Sequence, residues 1–206
     1  MGDKRNLREE LDCYTATTTP RLLEVPDLEY LMLDGRGDPN TQAFADAIAT
    51  LYPVAYTLKF ASKRSLGRDY VVPPLEGLWW ADDMDAFTTA RDKSRWHWTL
   101  LNMVPDWITA DMFHAAVDQV VRKASPPLLR DVRCEPLTEG TCVQALHVGS
   151  FDDEGELLER IHQEFIPAHQ LVMNGRHHEI YLSDFRRVEP ARRRTILRQP
   201  VGPRAR

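Results

Sequence analysis

Leu31 to Leu51, LMLDGRGDPNTQAFADAIATL, runs in step with Ala145 to Phe165, ALHVGSFDDEGELLERIHQEF, at an offset of 114. Gly35 then faces Gly149, Phe44 faces Leu158, Leu51 faces Phe165 and, just beyond, Pro53 faces Pro167. A duplicated unit constrains architecture more tightly than local propensity does. Further on, LEGLWW (Leu75 to Trp80) aligns with HEIYLS (His178 to Ser183) at offset 103, which places Glu76 opposite Glu179.

Each copy reads strand, helix, strand, strand. In the first, Leu28 to Asp34 is a short apolar strand. Asp38-Pro39 has the chemistry of an N-cap and first helical turn. Phe44, Ala47, Ile48 and Leu51 follow at the spacing of one helix face, with Pro53 expected to kink or end the helix. Strands near Leu75 to Ala81 and Trp96 to Val104 complete the copy. The second copy predicts strand Cys142 to Val148, a helix from about Glu154 to Met173 stopped by Asn174-Gly175, then strands Arg176 to Ser183 and Arg194 to Arg198. Between the copies lie a helix, Ala110 to Ala124, and a strand, Val132 to Leu137. Ahead of both, Asp3 can cap a short helix, Lys4 to Asp12. The expected architecture is α+β: duplicated βαββ units forming one antiparallel sheet with helices on one face and pseudo-twofold symmetry. The corresponding domain plan is a lead-in over 1–27 and a single domain over 28–201. Within it, the units are 28–104 and 141–201, a connector spans 105–140, and a tail follows at 202–206.

Composition narrows the function. A chain of 206 residues, 43% apolar with 10 Gly and 14 Pro, is globular rather than disordered or fibrous. The net charge of −5 hides an asymmetry. Arg186 to Arg206 holds eight arginines and one acid, Glu189, leaving 18 bases and 30 acids in residues 1–185. Arginines spread through a last strand and a frayed end read as a solvated edge, so no nucleic-acid partner is expected. Cys13, Cys134 and Cys142 have no metal-type spacing, and so few cysteines fit a reduced, cytoplasmic protein. No apolar run approaches a membrane span, and the first residues lack the apolar core of a secretion signal. No HExxH or Cys-His spacing, GxGxxG, P-loop or GxSxG is present, so neither metal nor cofactor is expected.

Strand alternation then selects side chains. With Ile180 and Leu182 taken as the surface under the helices, His177, Glu179, Tyr181 and Ser183 face away. Glu76, Leu78 and Trp80 hold the matching positions in the first copy. Trp96 and Trp98 share one face of their strand, with Arg95, His97 and Thr99 on the other. Trp79, Trp80, Trp96 and Trp98 fall within 20 positions. A carboxylate among aromatic rings either pairs with a lipophilic cation or, when partly desolvated, serves as a general base or acid. The plainer readings are an edge-strand charge for Glu76 and core for the tryptophans.

The runs EVPDLEYLMLDGRGDPN, LYPVAYTLKF, VVPPLEGLWW, HVGSFDDEGE and HHEIYLSDFRRVEPARRRTILRQPV together resemble the GyrI-like small-molecule-binding domain family, in order, from about Asp3 to Val201. The resemblance implies two βαββ units in one sheet and a ligand cleft between the halves. Some relatives are ligand domains of multidrug-responsive activators, in which a buried glutamate receives lipophilic cations. Others inhibit DNA gyrase, and some stand-alone members hydrolyse the cyclopropane of DNA-alkylating cyclopropanoids. Residues 1–27 supply one short helix rather than a helix-turn-helix, which disfavours a transcription factor. The family's central glutamate falls on Glu179 and the following aromatic on Tyr181, the implied catalytic pair. Glu76, Trp80, Trp98 and His147 complete the candidate ligand-binding set. Phe185 departs from the family, where many members have Pro. The implied function is binding of a polycyclic aromatic or lipophilic cationic toxin by a monomer or homodimer, with ring hydrolysis assisted by Glu179. Non-enzymatic drug binding is the alternative reading, and gyrase modulation a lesser one.

Overall fold

The structure, a computed structural model, describes residues 4–83, 92–124 and 126–204. Asp3 and the last two tail residues lie outside that set. The fold is α+β, and every described register is antiparallel. The strands are β1 (Arg21–Val25), β2 (Leu28–Arg36), β3 (Glu76–Ala81), β4 (Trp96–Val104), β5 (Arg133–Leu137), β6 (Gly140–Val148), β7 (Leu171–Met173), β8 (His177–Tyr181) and β9 (Arg194–Pro203). Their hydrogen-bonded order is β1-β6-β9-β8-β3-β4-β2-β5, and β7 pairs with β9. The helices are α1 (Leu7–Glu10), α2 (Gln42–Leu66), α3 (Ala110–Lys123), α4 (Gly155–Glu159) and α5 (Ile166–Ala168), with a π-helical segment, Arg160–Phe165, joining the last two. None is long and apolar enough to cross a membrane.

The chain forms two compact units, one of residues 1–10, 28–73 and 79–137, the other of 11–27, 74–78 and 138–206. In the first, α2 buries Phe44, Ala47, Ile48, Leu51, Val54, Ala55 and Leu58. Pro53 was expected to kink or end this helix, yet α2 continues to Leu66 and closes on Gly67 at φ 68°. Pro within a helix costs about 3 kcal/mol, whereas full burial of each large aliphatic such as Leu51 or Leu58 returns about 1.5–3 kcal/mol, so the apolar stripe wins. The helix starts later than Asp38-Pro39. The Asp38 carboxylate accepts from the Asn40 amide at 2.9 Å and its carbonyl from the Thr41 amide at 3.1 Å, which makes a turn ahead of Gln42.

In the second unit, Val143, Ala145, Leu157, Ile161, Ile166, Leu197 and Val201 form one buried cluster. The helix expected to reach Met173 ends at Ala168. Gln170 adopts φ 58° and turns the chain, and Leu171–Met173 then pair with β9 as β7. The short β1, read from sequence only as lead-in, pairs with β6. Its alternation was legible, since Leu23 and Val25 are buried between exposed neighbours. Arg198, expected on a solvated edge, is 1% exposed in the interior of β9.

Candidate functional site

The register of β8 against β9 decides where the sequence-predicted residues point. Glu179 pairs with Leu197 and Tyr181 with Thr195. Leu197 belongs to the cluster with Leu157, Ile161 and Ile166, so Glu179 faces the helical side of its unit. The His177 ring meets the His162 ring of the π-helical segment edge-on at 6.3 Å, on that same side. The expected orientation of β8 is therefore reversed. Ile180, with Ile196 and Leu146, is buried on the opposite side, where residues 11–17 provide the cover. The Leu146 amide donates to the Thr17 carbonyl at 2.7 Å, and the Gln144 side chain to the Thr15 carbonyl at 3.0 Å. Apolar residues on a strand require cover of some kind, and on this side the chain around the short 3-10 turn Asp12–Tyr14 contributes it in place of a long helix.

On the helical side, the Tyr181 hydroxyl donates to Glu179 Oε2 at 2.8 Å, and His177 Nε2 lies 3.5 Å from Oε1. The Glu179 side chain keeps 13% of its surface exposed. Phe151 and Phe185 set their rings edge-on to Tyr181 at 5.8 and 5.4 Å, and the Arg193 guanidinium lies 5.3 Å from the Phe151 ring centre. Burial, reinforced by the neighbouring His177, pushes the His162 imidazole down to about 4, so that ring is neutral at physiological pH. His147 pairs with Thr195, the residue that also pairs with Tyr181, which extends the row across three strands. Its Nε2 lies 2.9 Å from the Ser150 carbonyl and the residue is 8% exposed, so one ring nitrogen and most of its surface are already committed.

Glu76 is in the same unit but on the other side of the strands. It is fully buried, its Oε2 lies 3.0 Å from His178 Nε2, and it accepts from the Tyr14 hydroxyl. In the first unit, Trp98 packs edge-on to Phe44 of α2 at 5.0 Å and is 2% exposed, while Trp79 stacks on Phe44 at 5.8 Å. Trp80 stacks instead on His97 at 5.5 Å, and His97 Nε2 lies 3.3 Å from Asp82. Trp80 and Trp98 therefore occupy opposite faces, with Trp98 in the core beneath α2. The structure brings Glu179 and Tyr181 together, sets His147 on the same face two strands away, and assigns Glu76 to a separate buried network. The sequence reading did not single out His178, Glu139, Arg198 or Tyr14 of that network. The one available signal was the adjacent His177-His178 pair, since neighbours on a strand face opposite sides.

A half-buried carboxylate held by a phenol, with one oxygen near an imidazole and aromatic edges alongside, can hold a cation or accept a proton from water. Among the described residues, no group of three or more His, Cys, Asp or Glu side chains is arranged to hold a metal ion.

Residues 18–201 match the family model of the GyrI-like small molecule binding domain. Among solved structures, an uncharacterized conserved protein from Listeria innocua is 35% identical, with a TM-score of 0.89 over 97% of this chain and 100% of that one. A hydrolase from Listeria innocua, also 35% identical, has a TM-score of 0.85 over the same shares. The EcmrR C-terminal domain, at 10% identity and a TM-score of 0.59 over 90% of this chain and 98% of that one, shares the fold alone. No protein of curated function matches.

Proposed function

Because the chain belongs to the GyrI-like small-molecule-binding domain family, we propose that it binds a flat polycyclic aromatic electrophile and hydrolyses its strained cyclopropane ring. The observation that carries this reading is the hydrogen bond from Tyr181 to the partly exposed Glu179, set beside Phe151 and Phe185. Support also comes from the 35% identity to a protein described as a hydrolase.

In the proposed reaction, Glu179 holds a water molecule through Oε1 and accepts its proton as the water oxygen bonds to the cyclopropane methylene carbon. The ring C–C bond breaks, and its electron pair moves into the attached dienone, which becomes aromatic. The former carbonyl oxygen carries the negative charge until it takes a proton and becomes a phenol. The Tyr181 hydroxyl, held on Glu179 in the free protein, is the donor that turns to this oxygen as charge develops. A positioned base contributes about 10²–10⁴ in rate. His162, neutral at working pH, adds no positive charge to this side of β8.

The test is incubation of the purified protein with a duocarmycin-type spirocyclopropane in ¹⁸O-labelled water, with mass analysis of the product. Hydrolysis predicts a ring-opened product carrying one labelled oxygen. Saturable binding with the ligand mass unchanged identifies a sequestering protein and overturns the enzymatic reading.

A further inference from the structure

We propose that the buried network centred on His178 is a positioning device that locks the register of β8 and so aims Glu179 and Tyr181 at the helical side of their unit. The inference rests on the functional reading of Glu179 given above and adds to it a set of positioning residues.

A five-residue strand needs such a lock. A slip of one residue turns every side chain of a strand to the other face, and register is ordinarily specified by an apolar pattern on one face only. Here β8 reads His177, His178, Glu179, Ile180, Tyr181, with polar groups on both sides. Its hydrophobic pattern alone specifies the register weakly.

The charges supply what the pattern lacks. His178 Nδ1 lies 2.9 Å from Glu139 Oε1, and its Nε2 lies 3.0 Å from Glu76 Oε2. Arg198, directly opposite His178 on β9, donates from Nη1 to Glu139 Oε2 at 2.7 Å, from Nε to Gln144 Oε1 at 3.1 Å and from Nη2 to the Cys13 carbonyl at 2.6 Å. Tyr14 donates its hydroxyl to Glu76. The side chains of His178, Glu76, Glu139 and Arg198 are at most 3% exposed. Arg198 and the His178 imidazole are thus set against the Glu139 and Glu76 side chains in the interior, and a slipped β8 would withdraw the imidazole from between those two. A buried charge without its partner is strongly unfavourable, so the native register is the one that keeps all four paired. Tyr14 and Cys13 precede residue 18, where the family match begins, so the anchor draws on chain outside the matched stretch.

The groups facing His178 are Glu139, Glu76 and Arg198, with Tyr14, Cys13 and Cys142 in the surrounding network. Burial alone would lower the His178 imidazole, but Glu139 and then Glu76 outweigh it and raise it to about 9. Burial pushes the Cys142 thiol up to about 12 and raises Cys13 as well, so neither adds a charge near neutrality.

The experiment compares the full-length protein with Glu139→Gln, which keeps shape and removes one anion. It follows the His178 ring by NMR titration, exchange of the 177–181 amides, and the pH profile of kcat and KM for the spirocyclopropane. In the parent protein, kcat is expected to fall on the alkaline side in step with loss of the His178 proton, with KM flat. In Glu139→Gln both midpoints move down by about one pH unit or more, and the 177–181 amides exchange about tenfold faster while those of α2 do not. A shifted ring midpoint with an unmoved kcat limb, or unchanged exchange over 177–181, overturns the inference. A protein that leaves the substrate intact fails the functional reading instead, and the amide exchange still decides the positioning. Should Glu139→Gln not fold, Tyr14→Phe removes a single hydroxyl and must raise 177–181 exchange by about threefold, with unchanged exchange refuting the lock.

Discussion

The β3–β4 pair of the first copy and the β8–β9 pair of the second occupy equivalent places in the duplication, but their helix-facing positions carry opposite chemistry. Under α2, those positions are filled by Trp79 and Trp98 against Phe44. Trp98 fits only because Gly35 opposite it has no side chain, since a Cβ there would sit 2.0 Å from the indole. In the second unit the helix-facing side of β8 carries His177, Glu179 and Tyr181. A surface of indoles packs by shape and area and needs no polar partner. A surface carrying a carboxylate, a phenol and an imidazole does not specify itself, and its strand takes its register from the charges on the reverse side. One copy of the unit fills its helix-facing side with core, and the other carries there the side chains of the proposed site.

This contrast can be broken from either side. Trp98→Ala and Arg198→Ala should give the largest losses, each about 3–5 kcal/mol by denaturant unfolding, the first through a cavity and the second by stranding the Glu139 carboxylate. They differ in pH dependence. The Arg198→Ala deficit should shrink as acid neutralises Glu139, whereas the Trp98→Ala deficit should stay constant. A pH-independent Arg198→Ala deficit would mean that the arginine contributes only packing. Gly35→Ala comes next, at about 1–3 kcal/mol, because the new methyl group forces a buried indole from its place. A neutral result there would show that Trp98 has room to move.

The parent protein should show the charge network in its melting temperature across pH. The His178 ring is raised from 6.5 to about 9 in the folded state, so its contribution is complete below 6.5 and is lost as pH rises through about 9. Glu139 is held at about 2 by His178 and Arg198, against a burial penalty that acts the other way. Its contribution is therefore present above 4.5 and is lost as pH falls toward 2. Melting temperature should form a plateau between these limits, and a profile that keeps rising above pH 9 would contradict the assignment. The smallest expected change is Glu179→Gln, within about 1 kcal/mol of the parent stability, since this side chain serves the site more than the fold.

Much of the fold was legible because the offset of 114 preserves strand parity. Leu31, Leu33 and Gly35 map onto Ala145, His147 and Gly149, and both sets face their own unit's helix. The second offset, 103, failed for the same physical reason. Glu179 faces its unit's helices, whereas Glu76 reaches His178 on the reverse side, so aligning the two glutamates is one residue out of phase. Glu179 and Tyr181 were legible as a pair because residues two apart on a strand share a face. The side they face was not, because the reverse side meets residues 13–15, and the short 3-10 turn Asp12–Tyr14 is too brief to announce itself by periodicity. Arg198 was misread because a lone arginine in a basic tail looks like its neighbours until Glu139 is placed beside it.

The central claim is that the helix-facing carboxylate of the second unit is the base of a ring-opening hydrolysis. It is tested most directly by the turnover of a spirocyclopropane by the parent protein and by Glu179→Gln, with binding of an aromatic cation such as rhodamine 6G measured on both. In the variant kcat is expected to fall by about 10²–10⁴ while stability is retained. Turnover by Glu179→Gln at the parent rate would contradict it.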